Sequence, residues 1–119
     1  MTSLFAIFLG GGIGSVLRWC ICTIIHSQFG TFTVNILGAF LIGIAYQYIS
    51  QKTNFNADIK LFIMTGLLGG FTTFSTYLLD FVSLVNKASI AEAFLYLVMS
   101  VVVGCLLLYA GMKLVSFFN

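Results

Sequence analysis

The residues able to do chemistry gather in one run, Gly66-Leu67-Leu68-Gly69-Gly70-Phe71-Thr72-Thr73-Phe74-Ser75-Thr76-Tyr77. Three glycines lead into four hydroxyl residues within five positions. Glycine gives up the most backbone entropy in a helix, and Ser and Thr compete for the helix's own hydrogen bonds, so the run predicts a broken helix. It lies at the centre of a charge-free window, 61–79, which places it near a bilayer midplane. Irregular backbone at that depth persists only when buried in protein or lining a watery cavity. Broken helices of this kind build ion and substrate sites, with free carbonyls for cations and free N–H groups for anions. A hydroxyl-bonded kink without a ligand is the alternative.

Other polar residues extend the candidate site. Asn35 brings two N–H donors into a span; unpaired in lipid it would cost several kcal/mol, so it faces protein, water or a ligand. An interhelical hydrogen bond satisfies it as well as an ion does. Tyr96 and Ser100 stand four residues apart on one helix face, with Gly104 next along it; a Ser100 hydroxyl bonded back to its own helix is the simpler reading of that residue. Phe74 and Tyr77 are neighbours at i, i+3, and an aromatic ring has a positive edge that meets anions; core packing is the simpler reading of such a pair. Arg18 is paired or snorkels to an interface; Asp80, near an end of the third span, is a candidate partner or a vestibule residue. Cys20, Cys22 and Cys105 read as small apolar packing residues, with no metal or disulfide framework.

The elements that must carry these residues follow from composition. The 119 residues are 61% hydrophobic and only 7% charged, with a mean hydropathy of +1.13; soluble domains carry about a quarter charged residues. Charged residues are absent from 1–17, 19–51, 61–79 and 93–112, and about 20 apolar residues cross a bilayer. The window 19–51 is too long for one crossing and must turn, within His26-Ser27-Gln28-Phe29-Gly30. The chain therefore reads as one all-α membrane domain over 1–119, with four transmembrane helices at about 4–25, 31–49, 59–85 and 90–115, the third broken near the midplane. A net charge of +2 from scattered residues excludes nucleic-acid binding. With further apolar windows and no polar mature chain after it, the first apolar stretch reads as a span and not as a secretory signal.

Lys52, Lys60 and Lys113 flank one side, Lys87 and Arg18 the other: three against two. So small a bias leaves orientation undecided. It permits dual topology and an antiparallel homodimer; a single orientation is the alternative. Gly10 with Gly14, Gly66 with Gly70, and Gly38, Ala39 and Gly43 form faces on which helix backbones approach closely, either for packing alone or against a second subunit.

Three motifs carry a family resemblance: Gly11-Gly12-Ile13-Gly14 followed by Arg18-Trp19; Gly30-Thr31-Phe32-Thr33-Val34-Asn35; and Gly69-Gly70-Phe71-Thr72-Thr73-Phe74-Ser75-Thr76. In order and spacing the chain resembles the Fluc family of small fluoride channels along essentially its whole length. The resemblance implies a passive fluoride exporter of the prokaryotic inner (plasma) membrane, an antiparallel dual-topology homodimer with two pores at the subunit interfaces. It implies a central structural sodium held by backbone carbonyls of Gly69 and Thr72. It assigns fluoride contacts to Asn35, Phe74, Ser75, Thr76, Tyr77, Tyr96 and Ser100, and a structural or vestibular role to Arg18. Two positions depart from the family pattern: Tyr77 replaces a pore phenylalanine, and Gly104 stands where some relatives carry Ser.

Competing functions fail on specific residues. A small multidrug exporter of this size needs a membrane-embedded carboxylate, and the first span has none. A lipid kinase needs clustered acids for magnesium, whereas Asp58, Asp80 and Glu92 are scattered, so no enzyme is expected. A purely structural membrane subunit explains the glycine faces but not the hydroxyl cluster at the midplane.

Overall fold

The computed structural model describes residues 1–119 and is entirely helical. Helix α1 runs Thr2–Ile24 and α2 runs Gln28–Ser50. Helix α3 is a continuous helical stretch over 57–71, α4 spans Ser75–Lys87 and α5 spans Ile90–Phe118. Four segments are long and apolar enough to cross a membrane: Thr2–Ile24, Gln28–Ser50, Ala57–Lys87 and Ile90–Phe118. These are the four expected spans. The turn between the first two is tighter than expected, because Gln28, Phe29 and Gly30 are already helical. Ser27 makes the corner in the left-handed region, at φ 63°. Gly30 serves close approach and not the turn, since a Cβ there would stand 3.1 Å from the Cys22 Cα.

Side-chain caps define two later helix starts. Asn56 accepts the Ile59 N–H at 3.0 Å, and Ser89 accepts the Glu92 N–H at 3.1 Å in a Ser-x-x-Glu sequence. Within α3 the stretch Leu61–Leu68 is wound as a π-helix, which hydropathy does not signal.

The third span does break, over residues 72–74, close to the middle of Ala57–Lys87. The glycines are not the cause, contrary to expectation. Gly66, Gly69 and Gly70 all remain helical. Gly66 and Gly70 instead let α3 lie in backbone contact with α1. A Cβ on Gly66 would sit 2.9 Å from the Gly10 Cα, and one on Gly70 2.6 Å from the Gly11 carbonyl. Gly14 packs against Leu67 and Phe71, Gly43 against Leu108, and Gly111 against Phe40 and Ile44. The i, i+4 glycine faces are thus consumed inside one chain; Gly11, Gly12 and Gly104 alone have open space above them. The core is small, with Val34 the largest fully buried side chain. That is the expected economy for a protein whose outer surface meets lipid or another copy.

Candidate ion pathway at the helix break

At Thr72 the backbone swings to φ −85°, ψ 160°, an extended conformation, and re-enters a helix at Ser75. Every helix interruption frees peptide groups, and their fate defines the site. The Thr73 peptide is clamped by Asn35 from both sides. Thr73 N–H donates to Asn35 Oδ1 at 2.8 Å, and Asn35 Nδ2 donates to the Thr73 carbonyl at 2.9 Å. The amide thus copies the paired hydrogen bonds of a neighbouring strand. Gly38, one turn along α2, makes this reach possible, because any Cβ there would collide with the Thr72 methyl. Val34, completely buried, fixes the rotation of α2 beside it.

The remaining freed groups divide by polarity. On the α3 side the carbonyls of Gly69 and Thr72 receive no backbone or side-chain hydrogen bond, and Gly69 is exposed. On the α4 side the N–H groups of Phe74, Ser75 and Tyr77 have no backbone acceptor, while the Thr76 N–H is capped by Thr73 Oγ1 at 3.3 Å. The start of α4 therefore presents unpaired donors and the positive end of its dipole at mid-membrane depth.

Asn35, Thr72, Thr73, Phe74, Tyr77, Ser100 and Val101 line one open recess of about 270 Å³. The fold thus brings Asn35, Thr72, Phe74, Tyr77 and Ser100 together from α2, the break, α4 and α5. The Tyr77 ring is buried and lies between Phe74, 5.9 Å away centroid to centroid, and Tyr96, at 5.5 Å. Phe74 is 71% exposed, so the recess is walled on one side only.

Other expected site residues stand elsewhere or are already bonded. Ser75 and Thr76 are exposed beside the recess. Tyr96 lines a neighbouring cavity of about 400 Å³ with Gln28, Phe32 and Glu92. Most hydroxyl protons are directed inward. Thr72 donates to the Leu68 carbonyl, Thr73 to Thr76 Oγ1 and Ser100 to the Tyr96 carbonyl. Tyr96 donates to Asp80 at 3.2 Å, so it is Tyr96, not Arg18, that occupies Asp80. The extra hydroxyl of Tyr77 donates to the Leu97 carbonyl. Asn35 keeps its second amide N–H free, since one of its two donors suffices for Thr73. Arg18 is half-buried on α1 and lies outside the recess. Thr73, Gly38 and the Leu97 carbonyl were missed as partners. Thr73 carried a signal as a member of the hydroxyl cluster and Gly38 as a member of a close-approach face; the Leu97 carbonyl carried none.

No three His, Cys, Asp or Glu side chains group to hold a metal. The groups at the break that could hold a cation are the bare carbonyls.

Residues 5–112 match the family described as CrcB-like protein, Camphor Resistance (CrcB). A protein of Phocaeicola vulgatus named Fluoride-specific ion channel FluC is 45% identical over 112 residues, covering 89% of this chain and 92% of its own. A protein of the same name from Allorhizobium ampelinum is 37% identical over 118 residues, 94% of each chain. One from Serratia proteamaculans is 46% identical over 91 residues, 72% of each.

Proposed function

The chain belongs to the CrcB-like family, and we propose on that premise that it is a multi-pass fluoride-specific ion channel, not an enzyme, that lets fluoride leave the cytoplasm passively. The observation that carries the reading is the break itself, where unpaired N–H groups at the start of α4 and a spare Asn35 donor flank an open recess with aromatic edges. Fluoride is small and strongly hydrated, so its water must be replaced by several close donors. Conduction also requires that the ion leave again, which favours neutral donors over a buried cation. Asn35, Ser75, Thr76 and the α4 N–H groups meet both needs. Phe74 and Tyr77 contribute ring edges. Tyr96 and Ser100, whose protons are bonded within the chain, shape the wall.

One chain supplies half a conduit. The 71% exposure of Phe74 supports completion of the wall by a second copy, and the three-to-two charge balance supports an antiparallel, dual-topology homodimer with a pore at each interface. The Gly69 and Thr72 carbonyls fit a sodium ion, because they are unpaired, neutral and close to the middle of the span. Bound there, sodium would supply positive potential beside the anion path. The setting is the plasma membrane of a prokaryotic cell, with Arg18 in a structural or vestibular role.

Purified protein reconstituted in liposomes tests the reading, with efflux followed by fluoride- and chloride-selective electrodes. Fast fluoride release with little chloride release is expected. If neither ion moves from protein shown to be dimeric, the reading is wrong.

A further inference from the structure

Away from the break, the end of α2, the following loop and the first turns of α3 enclose a recess of about 420 Å³. Lys52, Thr53 and Lys60 stand exposed around its rim, and the buried Ile49 with half-buried Phe55 and Met64 form its floor. No carboxylate lines it. Asp58, the only acid of this loop, turns to the opposite side, where it accepts the Ser3 hydroxyl at 2.7 Å and borders a groove with Thr2. Lys52 lies over the Tyr48 ring at 5.1 Å and Lys60 has no hydrogen-bond partner, so neither ammonium is neutralised. The loop is held in place: Phe55 meets Tyr48 edge-on at 6.4 Å, and the Asn56 cap fixes the start of α3 and with it Lys60.

We infer that this recess binds an anionic phospholipid, its phosphate between Lys52 and Lys60 and its glycerol and upper acyl chains on the Ile49–Phe55–Met64 floor. Two ammonium groups without a counter-charge at the end of a membrane span attract a phosphate. A free phosphate ion would be held by the same two lysines. The apolar floor, built by Ile49 of α2, Phe55 of the loop and Met64 of α3, selects the lipid form. The inference is independent of which ion the break conducts.

The test is lipid retention by the full-length protein in mild detergent, read by native mass spectrometry after addition of phosphatidylglycerol or phosphatidylcholine. A preference for phosphatidylglycerol is expected. It should fall about fivefold per lysine, on the order of 25-fold, in Lys52→Gln/Lys60→Gln. Lys52→Arg/Lys60→Arg should retain it. Lys87→Gln/Lys113→Gln, which removes the same net charge elsewhere, should also retain it. Equal loss in both glutamine pairs, or no headgroup preference in the wild type, overturns the inference in favour of general charge attraction. Soluble glycerol 3-phosphate that displaces the lipid at equal concentration overturns the role of the apolar floor.

Discussion

Replacing Asn35 by Asp separates the two tasks the structure gives this side chain. The carboxylate can still accept the Thr73 N–H, now 2.8 Å from Asn35 Oδ1, but it loses the donor that meets the Thr73 carbonyl at 2.9 Å. The carboxylate oxygen that replaces Nδ2 then faces the buried Thr73 carbonyl with no proton between them, and an acceptor left unpaired in this way costs about 1–3 kcal/mol. The fold should weaken by about that much. The effect on the ion is larger. A full negative charge about 4 Å from an anion, at an effective permittivity of about 20, costs about 4 kcal/mol, a factor on the order of 10³ in rate. Asn35→Ala is the companion variant, losing both bonds to the buried Thr73 peptide without adding charge. The Ala protein should lose about 1–3 kcal/mol of stability yet conduct better than the Asp protein. Initial fluoride efflux rates from liposomes, paired with denaturation in detergent, measure both quantities. Fluoride flux through Asn35→Asp within tenfold of wild type would refute the placement of Asn35 beside the ion. Equal flux in the two variants would show that collapse of the break, and not repulsion, stops conduction.

Phe74→Ile should cut fluoride efflux at least tenfold while unfolding of the single chain shifts by only about 0.5 kcal/mol, because within one chain the ring is exposed and its aromatic contact is with Tyr77 alone; unchanged efflux removes the ring edge from the path. Tyr77→Phe should lose about 1 kcal/mol with its bond to the Leu97 carbonyl and keep most of its flux, since the ring stays packed between Phe74 and Tyr96. A collapse of flux in that variant would mean the hydroxyl serves the ion. Gly66→Ala should destabilise by about 1–3 kcal/mol, as its Cβ would come within 2.9 Å of Gly10 Cα, whereas Gly104→Ala meets nothing within 4 Å and should be neutral or mildly stabilising. Detergent denaturation midpoints compare the two.

Much of the architecture was legible because membranes impose a coarse rule. Charge must stay out of the hydrocarbon, so uncharged windows marked the four spans. The break was legible for the related reason that four hydroxyls in five positions undermine a helix at that depth. The same reasoning misassigned the glycines. Composition says that glycine weakens a helix but not whether a neighbouring backbone lies against it, and Gly66 and Gly70 are held helical by α1. The π-winding of Leu61–Leu68 left no trace, since its residues are as apolar as those of any span. Asn35 was picked out by its polarity, yet its partner Thr73 is 38 residues away and belongs to the tertiary fold. The directions of the Tyr77 and Tyr96 protons were hidden for the same reason, since each depends on which acceptor packing brings near; Ser100 instead bonds back to the carbonyl four residues earlier on its own helix, as helical serines commonly do.

Those proton directions change how the site must work. A row of hydroxyls looks in sequence like a ladder of donors, but three of them, on Tyr77, Tyr96 and Ser100, donate to protein acceptors. What stays available near the middle of the span is mostly backbone: carbonyls of Gly69 and Thr72 on one side of the break and N–H groups of Phe74, Ser75 and Tyr77 on the other, joined by the side chains of Ser75 and Thr76 and the second N–H of Asn35. A helix interruption creates both polarities together, because each missing bond frees one carbonyl and one N–H. Under the proposed function, a cation site and an anion site at such a break would be two halves of one event, with Asn35, which pairs both groups of Thr73, standing where the division falls. No lysine or arginine lines the recess, which agrees with the proposed function. A charged donor would hold the anion too long, whereas dipoles of fixed direction replace its water and still release it.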